Sequence, residues 1–226
     1  MKIITQQERS APQNRFSLGV YALLFFITWT LFVFFVSPWL KIHGVVAKNL
    51  VAPMMKVVIW TIPALLYLRY RDHVEPLAYL KMKGQLVNGA LYGVGFSLLA
   101  IGIIVAKEYL LKRTLQFNVN FALDSWIGGV LLVGFTEELL FRGFFLQKIS
   151  ETTTFWRANL IATTLFLFSH FPGWLESHSF IAHLVSGGSY IFFFALIQGF
   201  VLKKSNSLWA CIIIHAINNL MVFGFR

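Results

Sequence analysis

The decapeptide Gly134-Phe135-Thr136-Glu137-Glu138-Leu139-Leu140-Phe141-Arg142-Gly143 places three charged residues in the middle of a hydrophobic stretch. That stretch, Trp126 to Leu146, is long enough to cross a bilayer as a helix, which takes about 20 residues. A charged side chain at the bilayer centre costs at least about 2.5–3.5 kcal/mol, and such residues normally face a bundle interior or a water-filled cavity. We therefore predict a functional site, for chemistry or transport, inside a membrane-spanning bundle.

The composition indicates a polytopic membrane protein with an all-α fold. Of 226 residues, 58% are hydrophobic and only 12% are charged, whereas soluble domains have about 25% charged residues. The net charge of +10 comes mainly from Lys and Arg in short segments beside apolar stretches. This distribution favours contact with anionic lipid over nucleic acid, which we do not expect as a partner. The single cysteine, Cys211, excludes an internal disulfide.

Seven apolar stretches divide the chain, and we predict one transmembrane helix for each. They run from Leu18 to Leu40, Leu50 to Leu68, Leu86 to Ala106, Trp126 to Leu146, Ala158 to Trp174, Ile181 to Leu202, and Leu208 to Phe225. We group them as an N-terminal segment 1–17, spans 1–3 with a connecting loop (18–124), and a C-terminal transmembrane domain of spans 4–7 (125–226), which we expect to contain the functional site. The linker Phe117–Asp124 is predicted to be an interfacial strand or loop. Because the second stretch contains Lys56, Pro53 and Pro63, we expect it to be kinked or partly interfacial.

The positive charges predict the orientation of the chain in a plasma membrane. With the N-terminus inside, the cytoplasmic segments hold Lys2, Arg9, Arg15, Arg69, Arg71, Lys81, Lys83, Lys148, Arg157, Lys203 and Lys204. The outer segments hold fewer cations: Lys41, Lys48, Lys107, Lys112, Arg113 and Arg226. We therefore expect a cytoplasmic N-terminus and an external C-terminus. At 1.5 Å per residue, Glu137, His170 and His215 then lie at similar depths and can share one cavity.

The two adjacent glutamates are expected to have different roles, since neighbours on a helix point about 100° apart. Glu138 and Arg142 lie four residues apart and can form an ion pair that offsets part of their burial cost. Glu137 is then left free on a neighbouring face, where it can take a proton from water. The alternative is that all three residues form a structural polar cluster.

The fifth stretch contains Phe166-Leu167-Phe168-Ser169-His170-Phe171-Pro172. A single histidine in a span can be a hydrogen-bonded structural residue. Beside a glutamate at the same depth, His170 can instead hold or deprotonate a water, or protonate a leaving amine.

The seventh stretch contains His215-Ala216-Ile217-Asn218-Asn219. His215 and Asn219 are four residues apart and project from one face of a helix. Two adjacent donors can stabilise the oxyanion that develops on a scissile carbonyl. The alternative is ordinary interhelical hydrogen bonding, which we favour for Asn218.

Taken together and in this order, the three motifs resemble the CPBP family of intramembrane proteases, the CAAX prenyl endopeptidases and bacteriocin-processing enzymes also called the Abi family. The resemblance covers about Ser125 to Phe225. It implies a peptidase in which Glu137 and His170 activate water, and His215 and Asn219 form the oxyanion site. Glu138 and Arg142 complete the first motif as supporting residues. The implied substrate is a peptide or prenylated protein associated with membrane lipid.

Two questions stay open from the sequence. Glu137, His170 and His215 are chemically suited to bind a catalytic zinc; we expect no cofactor, because the sequence lacks a closely spaced His-x-x-x-His pair and water activation needs only Glu137 and His170. Proton-coupled transport is the alternative function, since Glu and His side chains also serve as proton relays. A non-enzymatic membrane scaffold is a third.

Overall fold

A computed structural model of the protein describes residues 11–44, 51–113, 115–122 and 125–225. In these residues the regular structure is helical, without strands. The helices are α1 (residues 11–42), α2 (Ala52–Arg71), α3 (Pro76–Tyr79), α4 (Leu86–Lys112), α5 (residues 126–150), α6 (Phe155–Glu176), α7 (Phe180–Ser205) and α8 (Leu208–Gly224). The predicted all-α membrane helical bundle is confirmed.

The seven predicted stretches correspond to the seven long helices, with the short α3 lying in a connection. Among the described residues, α1 from Phe16, α2, α4 and α7 are long and apolar enough to cross a membrane, and α8 is a shorter apolar helix. Crossing by all seven helices stays a prediction. Leu50, the predicted start of the second span, lies outside the described residues, as do Lys2, Arg9, Lys48, Asp124 and Arg226.

The helix ends gather at two faces of the bundle. One face, which we call the Lys148 end, comprises residues 72–83, 147–155 and 203–209. There the backbone N–H of Leu208 donates to Lys81 O at 3.0 Å and the Gln147 side chain donates to Tyr79 O at 2.9 Å. The other face, the Gly224 end, comprises residues 112–113, 115–122 and 223–225. It contains the bond from Asn118 N to Gly224 O at 2.9 Å.

The described part of the Phe117–Asp124 linker is an extended loop without strand pairing. The Phe117 ring packs on Phe225 with the ring centroids 5.0 Å apart, and Phe121 packs on Trp126 and Phe223. The predicted loop is therefore correct for residues 117–122. Its aromatic rings pack against the start of α5 and the end of α8.

At the Lys148 end, the buried ammonium group of Lys148 forms ion pairs with two segments of the chain. Lys148 Nζ lies 2.9 Å from Asp72 Oδ2 and 2.6 Å from Glu151 Oε2, with its side chain only 3% exposed. Glu151 also accepts a hydrogen bond from the Tyr79 hydroxyl at 2.7 Å. These contacts attach the α2–α3 connection to the end of α5, the helix that carries the two adjacent glutamates.

Aromatic side chains form the core around α5. Phe141, Phe144 and Phe145 are fully buried, and their rings contact Tyr21, Phe25, Trp60 and Tyr67 from α1 and α2. Since lipid is as apolar as these side chains, close packing rather than escape from water holds such helices together. The cluster therefore fixes α1 and α2 against α5.

Two glycines of α4 allow this helix to approach α8 closely. A Cβ added to Gly93 of α4 would lie 3.0 Å from Ile213 Cβ, and one added to Gly89 would lie 2.5 Å from Ser207 Oγ. These distances are shorter than ordinary van der Waals contact, so the absence of a side chain sets the α4–α8 distance. Close approach at small residues is a common packing mode of membrane helices.

Candidate active site

Glu137 and Glu138 end a short α-helical turn, Val133–Glu138, which lies between the π-helical segments Trp126–Leu132 and Leu139–Leu146 of α5. Arg142 lies in the second of these segments. π-Helical turns are uncommon and occur often at functional sites. Glu137 and Glu138 are both buried, at 4% and 0% exposure. Because buried carboxylates are costly without compensation, both glutamates require cationic or hydrogen-bonding partners.

Gly134 allows α8 to pack closely against this turn. A Cβ added to Gly134 would lie 3.3 Å from the backbone N of Ala216 and 3.5 Å from His215 Cβ. The missing side chain lets the backbones of α5 and α8 approach each other, which places His215 beside the glutamates one helical turn further along α5.

Glu138 is held between two cationic or hydrogen-bonding groups. Its Oε1 lies 2.6 Å from His215 Nδ1 and 3.0 Å from Arg142 Nη1. The predicted ion pair of Glu138 with Arg142 is therefore present. The Arg142 guanidinium also lies 4.3 Å from the centre of the Phe166 ring, a cation–π contact with α6.

Glu137 is not free, and that expectation was wrong. Its Oε1 forms an ion pair with Lys56 Nζ of α2 at 2.6 Å. Its other oxygen, Oε2, lies 3.7 Å from His215 Nε2, which is beyond hydrogen-bond distance, and accepts no hydrogen bond from the described residues. Glu137 therefore keeps one oxygen for a further partner.

Lys56 is the site residue that the sequence interpretation missed. An isolated cation in an apolar stretch is a signal for a buried functional site, but the nearby prolines suggested an interfacial position instead. In the structure α2 continues through Pro53 and Pro63, with a π-helical segment at Val57–Thr61. The Lys56 side chain points into the bundle and is 16% exposed.

The four charges of this cluster balance each other: Lys56 pairs with Glu137, and Arg142 pairs with Glu138. A single buried charge would be costly, whereas paired and hydrogen-bonded charges are tolerated. Since each partner compensates the other, pairing lowers the cost of burying these four groups in a largely apolar bundle.

His170 lies on α6 with a defined tautomer. Its Nδ1 lies 2.9 Å from the carbonyl oxygen of Phe166. Because a carbonyl oxygen only accepts, Nδ1 carries the proton, and Nε2 of the neutral ring is an acceptor. His170 is close enough to Glu137 for an electrostatic interaction, although no hydrogen bond joins these two described residues.

Asn219 lies one turn after His215 on α8, and its side-chain amide donates to Gly129 O of α5 at 3.1 Å. An amide NH₂ has two donors, so this bond leaves one N–H available. The neighbouring Asn218 accepts a hydrogen bond from the Tyr190 hydroxyl of α7. This interhelical bond agrees with the structural role that we favoured for Asn218.

The residues considered for zinc, Glu137, His170 and His215, do not fit a metal site as they are arranged. Within the described part of the chain, no three His, Cys, Asp or Glu side chains are grouped so as to hold a metal ion. The Lys56 ammonium also occupies the Glu137 oxygen Oε1, so a metal would have to displace a cation.

Comparison with known proteins agrees with the motifs. No curated protein and no solved structure matches the chain. Residues 119–221 match the family described as type II CAAX prenyl endopeptidase Rce1-like, and all three motifs lie within that match. The predicted family resemblance and the predicted enzyme class, a peptidase, are thereby confirmed. Residues 119–221 are therefore similar to the Rce1-like family of type II CAAX prenyl endopeptidases.

Proposed function

We propose that the protein is an intramembrane endopeptidase that hydrolyses a peptide bond of a membrane-associated protein or peptide through water activated by Glu137. The observation that carries the proposal is the convergence of Lys56, Glu137, Glu138 and His215 from three helices. These buried polar groups come together inside the bundle, where peptide hydrolysis requires both water and charge stabilisation.

Glu137 and His170 are proposed to activate the water. The free oxygen of Glu137 and the unprotonated Nε2 of His170 are two acceptors on facing helices, and a water has two protons to donate to them. Glu137 takes one proton as the water oxygen forms a bond to the carbonyl carbon. When the carbon–nitrogen bond breaks, that proton passes to the leaving amine.

His215 and Asn219 are proposed to stabilise the oxyanion. His215 donates its Nδ1–H to Glu138 and presents Nε2 to the site, where a proton on Nε2 would supply the second donor. Asn219 offers the N–H that Gly129 does not use. Donors fixed before the reaction stabilise developing charge without reorganisation. Glu138 and Arg142 then act as supporting residues that fix His215.

The proposed mechanism uses no metal or other cofactor. It is supported by the partners of Glu137 and by the available acceptors, which together suffice for proton transfer. A zinc-dependent form of the same protease is the alternative, and activity after treatment with a strong chelator separates the two.

We propose a plasma-membrane protein with the Lys148 end facing the cytoplasm. The cations Lys81, Lys83, Lys148, Lys203 and Lys204 lie at or beside this end. That distribution supports a cytoplasmic N-terminus and an external C-terminus under the positive-inside rule. The substrate would be a CAAX-type, bacteriocin-like or signal-peptide-like chain, prenylated or not, associated with membrane lipid.

Purified protein in detergent tests this function against proton-coupled transport. The assay presents a library of membrane-anchored peptides and identifies products by mass spectrometry. A peptidase cleaves in detergent, where no gradient exists, and yields products that differ from the substrate by one water. Absence of cleavage by a folded sample, together with proton flux in vesicles, would contradict the proposal.

A further inference from the structure

Lys56 lies outside the residues that match the peptidase family, which begin at 119, and yet it makes the shortest polar contact of Glu137. The distance from Nζ to Oε1 is 2.6 Å, and both side chains are mostly buried. At this distance and burial the contact is a charge-assisted hydrogen bond. It connects α2 to the centre of the candidate active site.

Two indole rings cover part of the Lys56 ammonium. Nζ lies 4.6 Å from the ring centre of Trp60 and 5.4 Å from that of Trp29, and both tryptophans are buried. Cation–π contact compensates part of the lost hydration and restricts the ammonium group. The Lys56 ammonium therefore contacts the two indole rings and the Glu137 carboxylate at the same time, and these contacts restrict its position.

The same aromatic pair connects to His170. Trp29 Nε1 donates to the carbonyl oxygen of Ser169 at 2.8 Å, and Ser169 immediately precedes His170. Trp29 therefore contacts the residue that pairs with Glu137 and the residue that precedes His170.

We infer that Lys56 is a positioning residue, whose ammonium holds Oε1 of Glu137 so that Oε2 faces the attacking water. The inference rests on the proposed function. Lys56 acts through Glu137 and not on the substrate. Because the ammonium also compensates the Glu137 charge, its removal both releases the carboxylate and leaves it unpaired inside the bundle.

Kinetics of Lys56→Met, Lys56→Arg and the control Lys41→Met test the positioning role. Lys41 pairs with Glu176 near the ends of α1 and α6, and neither of these described residues contacts Lys56, Glu137, Glu138 or His215 by an ion pair or hydrogen bond; the Lys41 side chain is 42% exposed. We expect kcat of Lys56→Met to fall about 10²-fold, the loss typical of a misplaced catalytic group, with KM little changed. Lys56→Arg should recover part of kcat, and Lys41→Met should match the wild type. An unchanged kcat in Lys56→Met would overturn the inference.

A double-mutant cycle tests the ion pair without using activity. Lys56→Met should lower the Tm in detergent, and adding Glu137→Gln should recover much of that loss, because the carboxylate no longer lacks a partner. Strictly additive changes in Tm would overturn the inference, whatever the protein cleaves. A wild-type protein without peptidase activity would overturn the proposed function, and the positioning role with it, while coupled Tm values would still demonstrate the pair.

Discussion

His215 Nδ1 lies 2.6 Å from Glu138 Oε1, so a hydrogen bond joins the second glutamate of α5 to the histidine of α8. Because the carboxylate accepts, Nδ1 is the donor and Nε2 is directed toward Glu137, 3.7 Å away. One imidazole therefore lies beside both members of the glutamate pair, and we propose separate roles for the two carboxylates: Glu138 orients His215, and Glu137 activates the water.

Replacing Glu138 tests this division of roles. Glu138→Gln keeps the size of the side chain but removes the charge that accepts from His215 Nδ1–H and pairs with Arg142. We expect kcat to fall substantially, with a smaller residual effect on KM, because oxyanion stabilisation through His215 is lost. The check is steady-state kinetics, with Glu176→Gln as the control for loss of a carboxylate. Equal kcat for both variants would contradict an orienting role for Glu138.

Asn219 and Asn218 form a matched pair for testing the oxyanion site. Asn219→Ala should lower kcat by about 10²–10³-fold, the usual cost of removing one oxyanion donor. Asn218→Ala removes only the bond from Tyr190 of α7, so we expect a lower Tm with kcat nearly unchanged. Measuring kcat and Tm for both variants distinguishes the roles, and a reversed pattern would assign the oxyanion donor to Asn218.

Gly134 should tolerate no side chain, because α8 approaches it closely. A Cβ at Gly134 would lie 3.3 Å from the backbone N of Ala216, whereas one at Gly95 of α4 meets no atom within 4 Å. We expect Gly134→Ala to cost about 1–3 kcal/mol through overpacking and to lower activity by displacing His215. Gly95→Ala should have neither effect. Thermal unfolding and kcat of the two alanine variants provide the comparison, and equal behaviour would refute the close α5–α8 contact.

The buried ammonium of Lys148 should contribute more to the free energy of unfolding than the exposed ammonium of Lys83. Lys148→Met leaves Asp72 and Glu151 without their shared cation and should lower the free energy of unfolding by about 3 kcal/mol. Lys83 pairs with Glu75 at 3.2 Å in an exposed contact, and Lys83→Met should leave stability almost unchanged. Denaturant unfolding in detergent measures both. A Lys148→Met protein as stable as Lys83→Met would show that the Lys148 contacts add nothing.

The seven apolar stretches predicted the long helices because hydrophobic length alone determines a membrane helix. The ion pair of Glu138 with Arg142 followed from i, i+4 spacing within one helix. The partners of Glu137 and Glu138 on other helices, Lys56 and His215, depend on packing between helices, which no local pattern contains. The π-helical segments flanking Val133–Glu138 were likewise not predictable, since they change helix register without a distinct composition.

The measurement that tests the central claim most directly is cleavage of one membrane-anchored peptide by wild type, Glu137→Gln and Glu176→Gln, with and without a strong chelator. If Glu137 activates water, its replacement should lower kcat by about 10²–10⁴-fold, the range of general acid–base catalysis. Wild type and Glu176→Gln should cleave equally, and the chelator should have no effect. Full activity in Glu137→Gln would contradict the role of Glu137, and loss of wild-type activity with chelator, restored by zinc, would contradict the metal-free mechanism.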